Sequence, residues 1–405
     1  MQPTKGLPAP TPLAGPNQPV DWLFAFKFNA ASFPGCTEDG VPPKVGSRGI
    51  FGGTVQKYPN GHSQQYVFAT SARPTLAKGT GCLGATRQDP LGATFAQVYD
   101  NPGYNYVLWN DQFYNRPLPV LDHPWGHSKG LLAWNANGAG FVLQVSTPSW
   151  PASGSRAHPR QHDGNTLGCI KDDDIEVSQH FFALKLSRSD VATVLQALAN
   201  ASVVTKTSEP SLVQNGGPAE IQSLVRALGR LSPSAACTVQ TLSSGVQVIS
   251  KPTQLAAPPW QLVSAQLGGL PLRVATWWVN PNAIYSTPSG HLPQCWAPGL
   301  GKPGAVEIAL SGNWRGTPLG LKGGPGKKFN HAKIGISTDA KRPISIFGDM
   351  NQQGALEPGA DAKVNLCTVH QNGRGGTFYV LRHSKLHASL TQLLRGDTAP
   401  THAPN

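Results

Sequence analysis

Two stretches of this chain set continuous apolar runs around a polar turn in the same order. Gly130-Leu131-Leu132-Ala133-Trp134 and Phe141-Val142-Leu143-Gln144-Val145 flank Asn135-Ala136-Asn137-Gly138, which reads as strand, turn, strand. Ile334-Gly335-Ile336-Ser337 and Ile344-Ser345-Ile346-Phe347 flank a second polar turn, through Asp339 to Pro343. Apolar runs so short and so continuous predict strands buried on both faces. Residues 189–198, 219–228 and 386–394 space their apolar positions at helical intervals instead, the first behind a Ser or Asp cap. Strand and helix signals interleave in both halves, so the pattern predicts an α/β fold.

The 405 residues are enough chain for two cores. A first lobe is expected over residues 20–205, a crossover linker over 206–218 and a second lobe over 219–396. Residues 1–19 and 397–405 are rich in Pro, Thr and Ala, which predicts mobile ends.

Immediately before each strand pair stands the same polar triplet. His127-Ser128-Lys129 leads into the first and His331-Ala332-Lys333 into the second. A three-residue pattern with a free centre arises easily among 12 histidines, and a third copy, His383-Ser384-Lys385, opens a helix and is set aside. Context separates the other two. They lie 331 − 127 = 204 residues apart, about half the chain, which reads as an ancient duplication into two lobes that bring both histidines to one cleft. At the same offset Thr147 corresponds to Asn351 and Val145 to Asp349, so Thr147, Asp349 and Asn351 are expected to orient the histidines or hold phosphate oxygens.

Two histidines and two lysines contain what phosphodiester chemistry needs. One imidazole attacks phosphorus, a protonated one supplies the leaving oxygen with its proton, and the ammonium groups hold the nonbridging oxygens. No metal or other cofactor is called for. The run Lys171-Asp172-Asp173-Asp174-Ile175-Glu176 reads as a solvated loop rather than a magnesium site, because no second acidic cluster accompanies it. Six cysteines without CxxC spacing argue against zinc, and their even number fits disulfides, with Cys36 to Cys82 and Cys295 to Cys367 as local pairs.

Several further stretches, taken together with the triplets, resemble the deoxyribonuclease II family. They are Gln18-Pro19-Val20-Asp21-Trp22, Trp109-Asn110-Asp111-Gln112, Gly126 to Gly130, Ser146-Thr147-Pro148, Gly164-Asn165-Thr166-Leu167-Gly168-Cys169 and Gly348-Asp349-Met350-Asn351. The resemblance runs over nearly the whole length and implies a phospholipase D-like fold of two pseudo-twofold-related α/β lobes, each with a mixed β-sheet flanked by helices. It implies a metal-independent acid endonuclease in which His127 and His331 are the catalytic pair and Lys129 and Lys333 their phosphate-binding partners. A phosphohistidine intermediate and products ending in 3′-phosphate and 5′-hydroxyl follow, with activity on the acid side of about pH 6.5, the ordinary imidazole value. Animal members carry a further histidine on the strand after the first motif, where this chain has Val145. The acid that the wider phospholipase D pattern places a few residues after each lysine is replaced by Trp134 and Thr338, which suits the nuclease branch better than a lipase.

Charge changes the picture next. With 33 Lys and Arg against 21 Asp and Glu the chain carries +12, a field that concentrates a polyanion such as DNA. The glycine-rich Lys322-Gly323-Gly324-Pro325-Gly326-Lys327-Lys328 just before His331 is a candidate clamp for a neighbouring phosphate through Lys322, Lys327 and Lys328. Trp109, Trp134, Trp277 and Trp278 read as core. The rival readings are a phospholipase D-type phosphodiesterase acting on another diester and a noncatalytic basic nucleic-acid-binding protein. No apolar stretch is long enough for membrane insertion, and the first residues show no signal peptide. Few charges (13%), 45 glycines and 37 prolines look like a loop-rich exported protein, so a secreted or acidic extracytoplasmic location is expected. A basic channel could be formed by one subunit or by a homodimer.

Overall fold

A computed structural model of the chain describes residues 6–36, 44–47, 49, 51, 62–113, 118–148, 150–151, 153–160, 175–278, 284–352, 356, 367 and 370–401. The first half contributes β1 (Trp22–Lys27), β2 (Tyr66–Thr70), β3 (Ala77–Lys78), helix α1 (Pro90–Tyr99), β4 (Asn105–Asn110), β5 (Lys129–Trp134), β6 (Gly140–Val145), β7 (Gln179–Leu186), helix α2 (Arg188–Asn200) and β8 (Val213–Gln214). These eight strands form one sheet in the order β3-β2-β1-β7-β6-β5-β4-β8. The second half contributes α3 (Ala219–Arg226), β9 (Thr238–Thr241), β10 (Gln247–Lys251), α4 (Pro259–Gln266), β11 (Leu272–Ala275), β12 (Val306–Ile308), β13 (Ser311–Trp314), β14 (Thr317–Gly320), β15 (Ile334–Ser337), β16 (Ile344–Gly348), β17 (Gly376–Arg382) and α5 (Ser384–Leu393). Its seven-stranded sheet runs β12-β11-β15-β16-β17-β10-β9, while β13 and β14 pair only with each other.

Local chemistry explains the element ends. Asp89 accepts from the Gly92 amide and Pro90 presets the first turn of α1, whereas Ser187 and Asp190 form a reciprocal capping box on α2. The β5–β6 hairpin turns at Asn135, whose side-chain oxygen accepts from the Asn137 amide, and Gly138 takes the left-handed φ of +87° that the turn requires. The two strand pairs and the helices expected at 189–198, 219–228 and 386–394 are all present.

The expectation of mixed sheets needs correction. Every pair in the first sheet is antiparallel, and the second departs from this only where β11 runs parallel to β12. Short turns such as that of β5–β6 impose antiparallel pairing. The stretch 206–218 is more than a connection, since β8 extends the first sheet beside β4.

Nor are the described parts of the two ends loose. Leu13 is buried and its amide bonds Thr94 Oγ1 at 2.9 Å, while Asn135 holds the Leu7 carbonyl. At the other end Ala399 is buried, and Ser286 and Ala309 form bridges to Thr401 and Thr398. Extended backbone can be held through its amides even where the side chains offer little core. Residues 1–5 and 402–405 lie outside the described residues, as do the segment 164–169 with Cys169 and the acidic Lys171–Asp174. Cys36 bonds Cys82 and Cys295 bonds Cys367, as the spacing suggested.

The two sheets share one hydrophobic core. Phe347 of β16 stacks on Phe182 of β7 at 4.4 Å and on Phe24 of β1 at 4.8 Å, so the centre of one sheet is pressed against the centre of the other. Beside this aromatic seam, Gln144 Nε2 of β6 donates to the Gly348 carbonyl at the end of β16, 3.0 Å away. Strands β1, β5, β6 and β16 are buried along their whole length. Truncating Phe347 to Ala is expected to cost about 3–5 kcal/mol, the range for a buried Phe. Urea denaturation reads the loss, and a cost below about 1 kcal/mol would contradict a shared core.

Candidate active site

Both triplets stand where a strand begins. Lys129 opens β5 opposite Asn110, the last residue of β4, which brings Asp111 alongside it. Lys333 directly precedes β15, and its carbonyl accepts from the Gly348 amide at 3.3 Å, so Asp349 leaves β16 beside it. Antiparallel pairing therefore puts both lysines and both carboxylates at one end of the paired sheets.

Each triplet is also fastened to the opposite sheet. The His127 amide donates to the Gly375 carbonyl just before β17, and the His331 amide donates to the Ser178 carbonyl just before β7, both at 2.8 Å. Beside each receiving strand lies a fully buried lysine of the adjacent strand. Lys251, opposite Gly376, donates to the carbonyls of Asn372 and Arg374 at 2.7 Å each and so braces the segment that receives His127; Lys27, opposite Gln179, donates instead to the carbonyls of Phe28 and Ser63, tying the end of β1 to the chain before β2.

The side chains converge on Asp349. Its Oδ2 lies 3.0 Å from Lys129 Nζ and 3.6 Å from His127 Nδ1, and its Oδ1 lies 3.5 Å from Lys333 Nζ. The last contact is charge attraction without an aligned hydrogen bond, because Oδ1 finds no hydrogen-bond partner among the described residues. Lys129 is completed by Asp111 Oδ1 at 2.8 Å, and Asp111 Oδ2 accepts from Arg374 at 2.8 Å. Arg374 in turn donates to the carbonyls of Leu121, Trp125 and Gly126. Arg374 also pairs with the exposed Asp122 at 2.9 Å, so Lys129, Lys333 and Arg374 face the buried carboxylates of Asp111 and Asp349 and one at the surface.

Burial and charge set the protonation states. Burial, then the Lys129 charge, hold His127 well below the ordinary imidazole value against the pull of Asp111. For Asp111 burial opposes ionisation, but Lys129, His127 and Arg374 outweigh it and hold the carboxyl well below its usual range. Asp349 is pushed up by burial despite both lysines. Burial lowers Lys333 to about 8, with Asp349 working against it. Lys129 is raised because Asp111 and Asp349 overcome its burial. Asp111, His127 and Asp349 could each offer a ligand atom within 4.8 Å of the others. Lys129 bonds both carboxylates, however, and a metal would have to displace that ammonium, so this donor set fits a lysine rather than an ion.

Among the residues expected at the site, His127, Lys129, Lys333, Asp349 and Asn351 come together, with Asn351 Nδ2 3.4 Å from His127 Nε2. His331 lies two residues from Lys333, its Nδ1 3.5 Å from Gln179 Nε2 and its ring edge-on to Trp277. Thr147 is buried, and its hydroxyl has no hydrogen-bond partner among the described residues. Lys322, Lys327 and Lys328 are exposed on the loop before His331 and do not reach the carboxylates.

The pattern of the chain missed Asp111, Arg374, Gln179 and His180. Asp111 sits in a stretch already singled out, and Arg374 lies in Gly373-Arg374-Gly375-Gly376, a glycine cluster that announces close backbone approach. A Cβ on Gly375 would stand 2.2 Å from the Ala201 carbonyl oxygen. His180 is fully buried behind Lys333, accepting from the Lys333 amide at Nδ1, so its Nε2 proton points to Gln144 Oε1 at 2.9 Å. It is held neutral by burial and then by Lys333.

Replacing Asp111 by Asn would leave Lys129 and Arg374 short of a buried counter-charge, a loss of about 3–5 kcal/mol at neutral pH. Because the folded carboxyl titrates below its unfolded value of about 3.9, its contribution is complete above that pH and disappears as pH falls through the lower folded value. The stability gap between wild type and Asp111→Asn is therefore expected to persist at pH 5 and to narrow only below about pH 4. Thermal unfolding at several pH values reads it.

The profile of the family described as Deoxyribonuclease II matches residues 54–290, which include the first triplet but stop short of the second. A curated relative, deoxyribonuclease-2-beta of Mus musculus, is 33% identical over 113 residues, which make up 26% of this chain and 30% of the relative's length. That family match spans more than half of the chain and places the protein in the deoxyribonuclease II family.

Proposed function

We propose that the protein is a metal-independent acid endonuclease that hydrolyses DNA phosphodiesters through a phosphohistidine. The observation that carries this reading is the meeting of both triplet lysines and His127 on the one carboxylate of Asp349. Family membership supports DNA as the substrate. The two disulfides fit an oxidising, extracytoplasmic compartment, and no helix among the described residues is long and apolar enough to cross a membrane.

We read the architecture as two phospholipase D-like lobes, about 20–205 and 219–396, related by a pseudo-twofold axis. The recurrence of α1-β4-β5-β6-β7-α2 as α4-β11-β15-β16-β17-α5, with the four main strands in the same spatial order, supports that reading. So does the reciprocal bond from each triplet amide to the other sheet.

His127 is the nucleophile in this scheme, because its surroundings keep it neutral and its Nδ1 faces Asp349, leaving the Nε2 lone pair for phosphorus. As the Nε2–P bond forms, the P–O5′ bond breaks and His331 gives its proton to O5′. Water then attacks phosphorus, His331 takes the water proton, and the N–P bond breaks to release a 3′-phosphate. Lys129 and Lys333 hold the nonbridging oxygens, and the Asn351 amide beside His127 Nε2 adds a donor. Lys333, lowered to about 8, loses its charge as pH rises through that value, so phosphate binding weakens there. This dependence favours acid, and the depressed His127 keeps its lone pair as pH falls.

Plasmid nicking at acid pH in EDTA tests the reading, with cleavage expected at the same rate as without chelator. His127→Ala and His331→Ala are each expected to lose roughly a thousandfold or more in rate while retaining DNA at low salt. Full activity in either variant, or abolition by EDTA, would overturn the scheme.

A further inference from the structure

Beyond the histidine cluster, a groove of about 650 Å³ lies between the β13–β14 hairpin and the end of α5, lined by Asn313, Trp314, Arg315, Gln392, Arg395 and Gly396. Among the described residues no carboxylate lines it. Arg315 and Arg395 are both exposed, and neither guanidinium makes an ion pair or a hydrogen bond among the described residues. The acid that follows the lining residues, Asp397, is turned to Ser311 Oγ at 3.0 Å.

The hairpin tip is built in a costly way. Arg315 adopts a left-handed φ of +50°, followed by Gly316 at +91°, and the turn is closed by the Gly316 amide donating to Asn313 Oδ1. Turns of this kind favour glycine or asparagine at the place Arg315 occupies. A side chain kept at a position that opposes it points to use of that side chain. Its guanidinium lies 5.2 Å from the centre of the half-buried Trp314 ring, which itself rests on Phe28. The support is firm, since Gly312 approaches α5 so closely that a Cβ there would stand 2.2 Å from the Leu393 carbonyl oxygen.

We infer that this groove is a second nucleic-acid subsite that takes one unpaired nucleotide of a single strand, its base against Trp314 and Arg315 and its phosphodiester between Arg315 and Arg395. An aromatic ring beside a planar guanidinium offers a base two surfaces for stacking, and a second unpaired guanidinium offers a fork for phosphate. The chain then leads from this site toward the histidines. From Gly320 at the end of β14 the loop 321–330 exposes Lys322, Lys327 and Lys328 and ends at His331. The loop is pinned by Asn29 Nδ2 on the Gly320 carbonyl and by the Ala31 amide on the Lys327 carbonyl. A strand seated at Trp314 would follow a run of positive charge into the cluster. This inference rests on the nucleic-acid reading above.

The test measures binding without cleavage, using full-length protein carrying His127→Ala in EDTA and the fluorescence anisotropy of a labelled thymidylate 12-mer. Arg315→Gly and Arg395→Gln are each expected to weaken affinity about tenfold. Arg315→Gly should at the same time leave the melting temperature unchanged or raise it, because glycine fits the turn. Trp314→Leu should weaken the 12-mer but not an abasic strand of the same charge. Unchanged affinity in either arginine variant would overturn the subsite, and an equal loss for duplex or for heparin would reduce it to a patch of charge. Cutting by the wild type is scored separately, so a protein that fails to cleave leaves these affinities standing, and unchanged affinities leave cleavage at the histidines standing.

Discussion

Lys129 has no access to solvent, and an ammonium survives there only because two carboxylates enclose it. Those carboxylates come from different sheets, Asp111 from the end of β4 and Asp349 from the end of β16. Asp349 must serve Lys333 as well, and Asp111 must serve Arg374. No member of this chain of charges is satisfied alone. The requirement that buried charge be paired thus decides how the sheets meet at this end, and the aromatic seam around Phe347 decides how they meet behind it.

Charge pairing tolerates small displacements, whereas hydrogen bonds to main chain do not. The reciprocal bonds from His127 to Gly375 and from His331 to Ser178 supply the finer positioning, and Lys251 stiffens the segment that receives His127. The two halves of the chain are nevertheless unequal. The residue that corresponds to Asp349 at the 204-residue offset is Val145, a core side chain, and the first half contributes Asp111 from a neighbouring strand instead. That inequality puts the Asp349 carboxylate behind the His127 ring, while Gln179 Nε2 stands 3.5 Å from His331 Nδ1.

What the chain disclosed and what it hid divide by range. Strands 130–134 and 334–337, the helix over 189–198 and both disulfides are written in runs of a few residues or in counts, and all are recovered, although the cap of that helix is Ser187 and not Ser189 or Asp190. Asp111, Arg374 and Gln179 were invisible because each matters only through a partner far along the chain: Lys129, Asp111 and His331 respectively. Pro, Thr and Ala-rich ends misled because composition reports side chains, while the ends are held by backbone amides. The parallel β11–β12 pair had no local signature at all, since its partners are separated by a long excursion through residues 276–305.

Asp349 follows Lys129 by 220 residues, and Arg374 lies later still. During synthesis the first triplet, its strands and most of the basic surface emerge long before either residue exists. Until then Lys129 lacks one of its two acids, and the carbonyl that anchors the His127 backbone has yet to be made. Whatever chemistry the cluster performs is therefore withheld from the nascent polypeptide, and latency during manufacture comes from the order of the sequence itself.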